Sequence, residues 1–158
     1  MIRNLPFRRI AAPVALGLLL SLAGCAKNDL PPVARVTGTV TYNGKPVPNM
    51  MVNFMPMTTS KDQGRPSWGQ TDAAGKYEMN YTAEVMGAEI GKHKVYFNPA
   101  QVSIDGGQSK ESQAEAAKSA GLTPDDLKTI LEKYGKEDTT ALEVEVNQDP
   151  QVLDLKLE

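Results

Sequence analysis

Two runs of alternating residues, joined through Asn43-Gly44, constrain this chain more than any other feature. Residues 35–42 place Val36, Gly38 and Val40 on one face and Thr37, Thr39 and Thr41 on the other. That is the period of a strand with one buried face. Asn and Gly both tolerate positive φ, so Asn43-Gly44 predicts a two-residue hairpin turn. Pro46 and Pro48 keep the exit extended and delay further pairing. Residues 50–57 alternate again, with Met50, Val52 and Phe54 assigned to the core face and Met51, Asn53, Met55 and Met57 to the other.

The polar stretch 58–66 reads as a loop, and 67–71 as a short strand carrying Trp68. Asp72-Ala73-Ala74-Gly75 is a turn with glycine where positive φ costs little. Residues 76–81 set Tyr77, Met79 and Tyr81 on one face. After Gly87 and Gly91, His93, Val95 and Phe97 alternate with Lys94 and Tyr96 until Pro99. The period then changes. Residues 109–120 are rich in Ala, Glu and Lys and predict a surface helix closed by Gly121. Thr123-Pro124-Asp125-Asp126 supplies an N-cap, a first-turn proline and first-turn acids. Leu127, Ile130, Leu131 and Tyr134 follow at i, i+3, i+4 and i+7, and Gly135 ends the helix. This stripe is expected to cover the Met51–Met55 face. Two strands finish the chain, 140–147 and 152–157, with Leu142, Val144 and Val146, then Leu153, Leu155 and Leu157, inward and Asp149-Pro150 between them. The fold class is mainly β. A seven-stranded sandwich is expected, with a two-helix insertion at about 108–135 before the last two strands.

The N-terminus is of another kind. Arg3, Arg8 and Arg9 precede an apolar run from 10 to 23, and no acid occurs before Asp29. Roughly 14 residues is short of the ~20 that span a bilayer, so the run reads as a secretory signal. Leu22-Ala23-Gly24-Cys25 resembles the bacterial lipobox, which implies cleavage between Gly24 and Cys25 and a diacylglycerol on the Cys25 thiol. Cys25 is the one cysteine and has no partner within the chain. Residues 1–24 are therefore expected to be a signal peptide, 25–33 a lipidated tether stiffened by Pro31-Pro32, and 34–158 one domain. Ala26, in place of Asp, leans towards the outer rather than the inner membrane. Without residues 1–24 the chain keeps 14 basic and 19 acidic side chains over 134 residues. A mildly acidic domain with no basic cluster argues against a nucleic-acid partner.

Residues 36–47, Val-Thr-Gly-Thr-Val-Thr-Tyr-Asn-Gly-Lys-Pro-Val, resemble the opening of carboxypeptidase regulatory-like (transthyretin-like, prealbumin-like) domains. Val52-Asn53-Phe54-Met55-Pro56 is similar to their second strand. Thr71-Asp72-Ala73-Ala74-Gly75-Lys76-Tyr77 resembles their Thr-Asp-x-x-Gly-x-aromatic turn, and Gly91-Lys92-His93-Lys94-Val95 their Gly-x-Tyr-x-Val strand, with His93 where an aromatic is usual. Leu131-Glu132-Lys133-Tyr134 and Thr140-Ala141-Leu142 resemble a C-terminal pattern of secreted lipoproteins with this domain. The likeness covers about 34–98 and 127–158. It implies an Ig-like or transthyretin-like sandwich serving as a structural or protein-interaction module, and the helical insertion departs from it.

The chemistry-bearing residues are few. One His and one Cys expected to carry the lipid give no nucleophile–base pair, so no catalytic residue, cofactor or metal is assigned. A transthyretin-like hydrolase is the third reading, but the histidines, arginine and Tyr-Arg-Gly-Ser-like terminus of such enzymes are missing from a chain that ends Leu-Lys-Leu-Glu. His93 reads as a core residue. Paired Cys/His spacings for zinc are lacking, and Asp62 and Asp72 lack the clustered oxygens of a calcium loop. Met51, Met55 and Met57 read as packing residues before a copper(I) set. The main expectation is a membrane-anchored, non-catalytic envelope module that meets envelope proteins. The alternative is a carbohydrate- or peptidoglycan-binding module that stacks cell-wall glycan on Trp68, Tyr81 and Tyr96, with Tyr42 also available. An isopeptide-stapled adhesin module lacks a recognisable Lys–Asn–acid arrangement.

Overall fold

The computed structural model describes residues 30–57, 64–100 and 110–158 and is built mainly from short strands. In chain order these are β1 (Val33–Ala34), β2 (Val36–Tyr42), β3 (Lys45–Pro46), β4 (Met50–Pro56), β5 (Ser67–Gln70), β6 (Lys76–Glu78), β7 (Ala88–Glu89) and β8 (Gly91–Pro99). Helices α1 (Lys110–Ser119) and α2 (Pro124–Tyr134) follow, then β9 (Glu143–Val146), β10 (Gln151–Val152) and β11 (Leu155–Leu157). Eleven segments among the described residues stand where seven strands are expected. The extra ones are stubs such as β1, β3 and β7, and the last strand is broken in two at Leu153-Asp154.

The Asn43-Gly44 turn forms as its residues dictate, with φ of 50° and 79°. It returns the chain so that Tyr42 pairs with Lys45 and Thr41 with Pro46. In one sheet the order is β5-β4-β8-β9, antiparallel throughout. In another, β2 is central, with β3 and β6 antiparallel on one side and β10 and β11 parallel on the other. β1 and β7 make a small ribbon. The expected inward positions meet in one core: Val36, Val40, Met50, Val52, Phe54, Val95 and Phe97 are fully buried, and Leu155 and Leu157 nearly so. Several sheets sharing one apolar core are consistent with a β-sandwich.

Asp149-Pro150 does not fold the last strand back on β9. Residues 147–150 carry the chain across, so that β9 pairs with β8 while β10 and β11 run parallel to β2 in the other sheet. The break in that parallel ladder has a local cause. The Leu153 N–H donates to the Thr37 carbonyl at 2.8 Å. In an unbroken parallel ladder the Leu153 carbonyl would then accept from Thr39. Instead the Asp154 carboxylate takes the Thr39 N–H at 2.9 Å, and the Leu153 carbonyl turns to accept the Tyr77 hydroxyl at 2.6 Å. It turns directly over Gly38, where no side chain stands in the way.

α2 begins at Thr123, whose hydroxyl accepts the Asp126 N–H at 3.2 Å while the Asp126 carboxylate accepts the Thr123 N–H at 2.8 Å. This reciprocal box satisfies two otherwise unpaired donors. Thr123→Ala is expected to lower stability by ~1 kcal/mol, read as a reduced urea midpoint at unchanged slope. The apolar stripe does not cover the outward methionines. Ile130 is fully buried, and Leu127, Leu131 and Tyr134 pack against the common core. Tyr134 meets the inward-facing Phe97 edge-on at 6.5 Å, and its hydroxyl donates to the Glu158 carbonyl at 3.1 Å. α2 thus closes the gap between the sheets where β8 and β11 end. α1 is not merely a surface helix either. Ala117 is buried, and the Gln113 amide donates to the Asn49 carbonyl at 3.0 Å, at the start of β4. Together the two helices cap one end of the molecule.

Candidate binding face

Directly opposed residues of neighbouring strands point to the same side of a sheet. On β8, β4 and β5 this aligns Tyr96 with Asn53 and Asn53 with Trp68. Bridges from Trp68 to Asn80 and from Asn80 to Met86 extend the row. Five side chains therefore cross the outer face of the four-stranded sheet in line: Tyr96, Asn53, Trp68, Asn80 and Met86. Trp68 is 43% and Met86 46% exposed. Tyr96 and Asn80 are half-buried, and Asn53 is nearly buried between its neighbours. Met51 and Met55, on the same side of β4, flank the row and are also half-buried.

Trp68 and Tyr96 sit two strand spacings apart, about 10 Å. Between them lies an amide, and another amide lies beyond Trp68. Asn53 donates to the Tyr96 carbonyl at 3.3 Å and Asn80 to the Trp68 carbonyl at 3.4 Å, which fixes both amides against the sheet. Burial, and then the nearby Glu137 charge, push the Tyr96 phenol above its usual range, so it stays a protonated donor at neutral pH. Such a face offers ring stacking and hydrogen bonding to a flat polar ligand longer than one ring.

The aromatic residues expected at a site divide. Trp68 stands outward because its neighbours Ser67 and Gly69 take the inward positions, and Tyr96 joins it. Tyr81 and Tyr42 do not: both are buried, at 6% and 8% exposure, and neither can offer a ring face to a ligand. Tyr81 is drawn in by the same alternation that buries Tyr77 and Met79. Asn53 and Asn80 belong to the face without having been expected there. Asn53 had a signal, since it shares a strand face with Met51 and Met55. Gly24, Cys25 and Asp62 lie outside the described residues.

His93 is a core residue. It is fully buried on the inward side of β8, its ring 5.8 Å from that of Phe54. Nδ1 lies 3.1 Å from the Gly91 carbonyl while Nε2 has no partner among the described residues. A proton on Nδ1 satisfies that carbonyl and leaves Nε2 a bare lone pair, which is less costly than a buried unpaired N–H. Burial holds its pKa below the usual histidine value, against a smaller opposing effect of the Gly91 carbonyl. The depressed group favours folding fully above the unfolded value of about 6.5, and that contribution is lost as pH falls through the window below it. His93→Phe is expected to flatten the stability profile below about pH 6.5, measured by urea midpoints at several pH values.

Other depressions lie elsewhere. One of about 420 Å³ on the other sheet is lined by Thr37, Gln70, Asp72, Lys76, Glu78 and Asp154. Two of its acids already have structural work: Asp72 accepts the Ala74 and Lys76 N–H groups of its turn, and Asp154 accepts that of Thr39. Another, about 620 Å³, runs along α2 beside Leu127 and Leu131. Among the described residues no three His, Cys, Asp or Glu side chains converge on a common point, and no helix is long and apolar enough to cross a membrane.

Fold and face define a mainly β protein with a helical cap at one end and an aromatic–amide row on one sheet. No family model, curated protein or solved structure matches the chain.

Proposed function

We propose that this is a lipid-anchored cell-envelope protein whose domain is a non-catalytic binding or structural module of the Ig-like, transthyretin-like sandwich kind. Residues 1–24 are the signal, Cys25 carries the lipid, and 25–33 form the tether. Two features support the sandwich topology: the chain crosses between sheets before its last strand, and the first long strand and the last are neighbours in one sheet. The observation that carries a binding role is Trp68, a large apolar ring standing half-exposed on the edge strand β5 between two fixed amides. Outer-membrane delivery is the companion proposal, resting on Ala26.

The same row favours one specific second reading, a glycan-binding face. Sugar rings pair an apolar face with hydroxyl edges, which matches rings alternating with amides. The test is a pull-down of residues 26–158 with purified cell-wall glycan, followed by Trp68 fluorescence. Trp68→Ala is expected to abolish saturable binding while the domain stays folded, checked by circular dichroism. Absence of binding and of any spectral change in the parent chain would remove the glycan reading and leave a protein partner. Mass spectrometry of the N-terminal peptide checks the anchor, and an unmodified Cys25 would overturn it.

A further inference from the structure

The end of the domain opposite the helical cap carries three exposed apolar side chains. The Ile90 N–H donates to the Pro32 carbonyl at 2.9 Å, and the Met57 N–H to the Lys92 carbonyl at 2.8 Å. These bonds bring Leu30, Met57 and Ile90 to the end at which β8 begins. They are 44%, 43% and 43% exposed, three of the six large apolar side chains so exposed among the described residues. Lys92 stands exposed there too. The capped end differs: α2 presents exposed Asp125, Lys128, Glu132 and Lys133.

We propose that the end carrying Leu30, Met57 and Ile90 rests on the surface of the bilayer that holds the anchor, with the helical cap pointing away from it. The inference rests on the lipid-anchor reading of Cys25. The chain itself selects this occupant. Four residues separate Cys25 from Leu30, and the five Cα–Cα steps between them reach at most about 18 Å. β8 has nine residues, so it runs about 30 Å from the apolar end towards the cap. A domain held on so short a leash cannot turn its cap onto the bilayer, whereas its apolar end is always within reach. Partly exposed Leu, Met and Ile side chains suit the interface between headgroups and acyl chains, and Lys92 suits anionic headgroups.

Cys25 is the only cysteine, so a lipidated chain has no free thiol and one introduced cysteine can carry an environment-sensitive dye. Full-length protein purified from membranes would be placed in vesicles of phosphatidylethanolamine and phosphatidylglycerol containing a spin-labelled lipid. Dye at Ile90→Cys is expected to be quenched severalfold more than dye at Lys128→Cys. Both positions are exposed, and Met57→Cys provides a second probe of the apolar end if the first variant accumulates poorly. Equal quenching at both ends, with the lipid on Cys25 confirmed by mass, would overturn this orientation and leave the anchor standing. Quenching strongest at Trp68 would also overturn it, in favour of the sheet lying flat on the bilayer. An unmodified Cys25 would remove the anchor reading and this inference together.

Discussion

Gly38→Ala is expected to destabilise the domain by ~3–5 kcal/mol, enough to leave much of it unfolded when typical domains hold only about 5–15 kcal/mol. The reason lies in one carbonyl. A Cβ at position 38 would overlap the Leu153 carbonyl oxygen, and would stand 2.6 Å from its carbon and 3.0 Å from the Tyr77 ring. The obstacle is backbone, so no flexible side chain can swing aside. Relief requires the last strand to lift from β2, which loosens the Leu153–Thr37 and Asp154–Thr39 bonds and pulls Leu155 and Leu157 from the core. Urea denaturation followed by circular dichroism measures the loss. A stability within 1 kcal/mol of the parent's would show that the last strand is not seated over Gly38 as described.

Tyr77→Phe is expected to cost ~1–3 kcal/mol, because the Leu153 carbonyl then loses its donor while remaining covered. Tyr77 is itself buried, and its ring meets Phe54 edge-on at 6.2 Å, so phenylalanine keeps the packing and deletes only the hydroxyl. The substitution also has a signature in pH. Burial, and then the Asp154 charge, raise the Tyr77 pKa well above its ordinary value. The raised group contributes stability that is fully present below the unfolded value of about 10 and is lost as pH rises beyond it. Urea midpoints between about pH 9 and 11 should therefore fall less steeply in Tyr77→Phe than in the parent. Identical slopes would mean that the hydroxyl is not held in the core. Gly38 and Tyr77 act on the same carbonyl, so their effects should not add.

The two helices show how far a local pattern reaches. The capping box at Thr123 and Asp126 and the spacing of Leu127, Ile130, Leu131 and Tyr134 define α2 from neighbouring residues alone, and the helix stands at Pro124–Tyr134. Its partner was not legible. An apolar stripe states that something must be covered, but Met51–Met55 and the open end of the core offer similar apolar surface. The end of the core takes the helix because Phe97 and Glu158, contributed by different sheets, meet Tyr134 there. α1 carried a weaker signal still: its alanines look like surface residues, yet Ala117 is small enough to be buried as the helices pack.

The binding face divides in the same way. Alternation put Val52 and Phe54 on one side of β4 and Met51, Asn53 and Met55 on the other, and the buried set follows except at Asn53, which its cross-strand neighbours cover. In β5 it could state only that Trp68 opposes Ser67 and Gly69. Whether tryptophan or serine turned inward depended on the register with β4, which pairs Ser67 with Phe54. Trp68 therefore stands outward, and Tyr81, read with it as available for stacking, is buried. The alignment of Trp68 with Asn80 and Met86 comes from contacts beyond the regular strands, for which no period exists.

What the sequence by itself determined is what neighbouring residues can decide: which side chains share a strand face, where Asn43-Gly44 and Asp72–Gly75 turn, and where α2 starts and stops. These follow from side-chain period, the cost of positive φ and the unpaired groups of a helix end. What the tertiary structure alone decided is which elements meet. The last strand lies parallel to β2, with Asp154 bonded to Thr39 across 115 positions of chain. Backbone donors and acceptors are alike on every strand, so nothing local distinguishes one partner from another. The choice falls to the pairing that lets the apolar strand faces share one core.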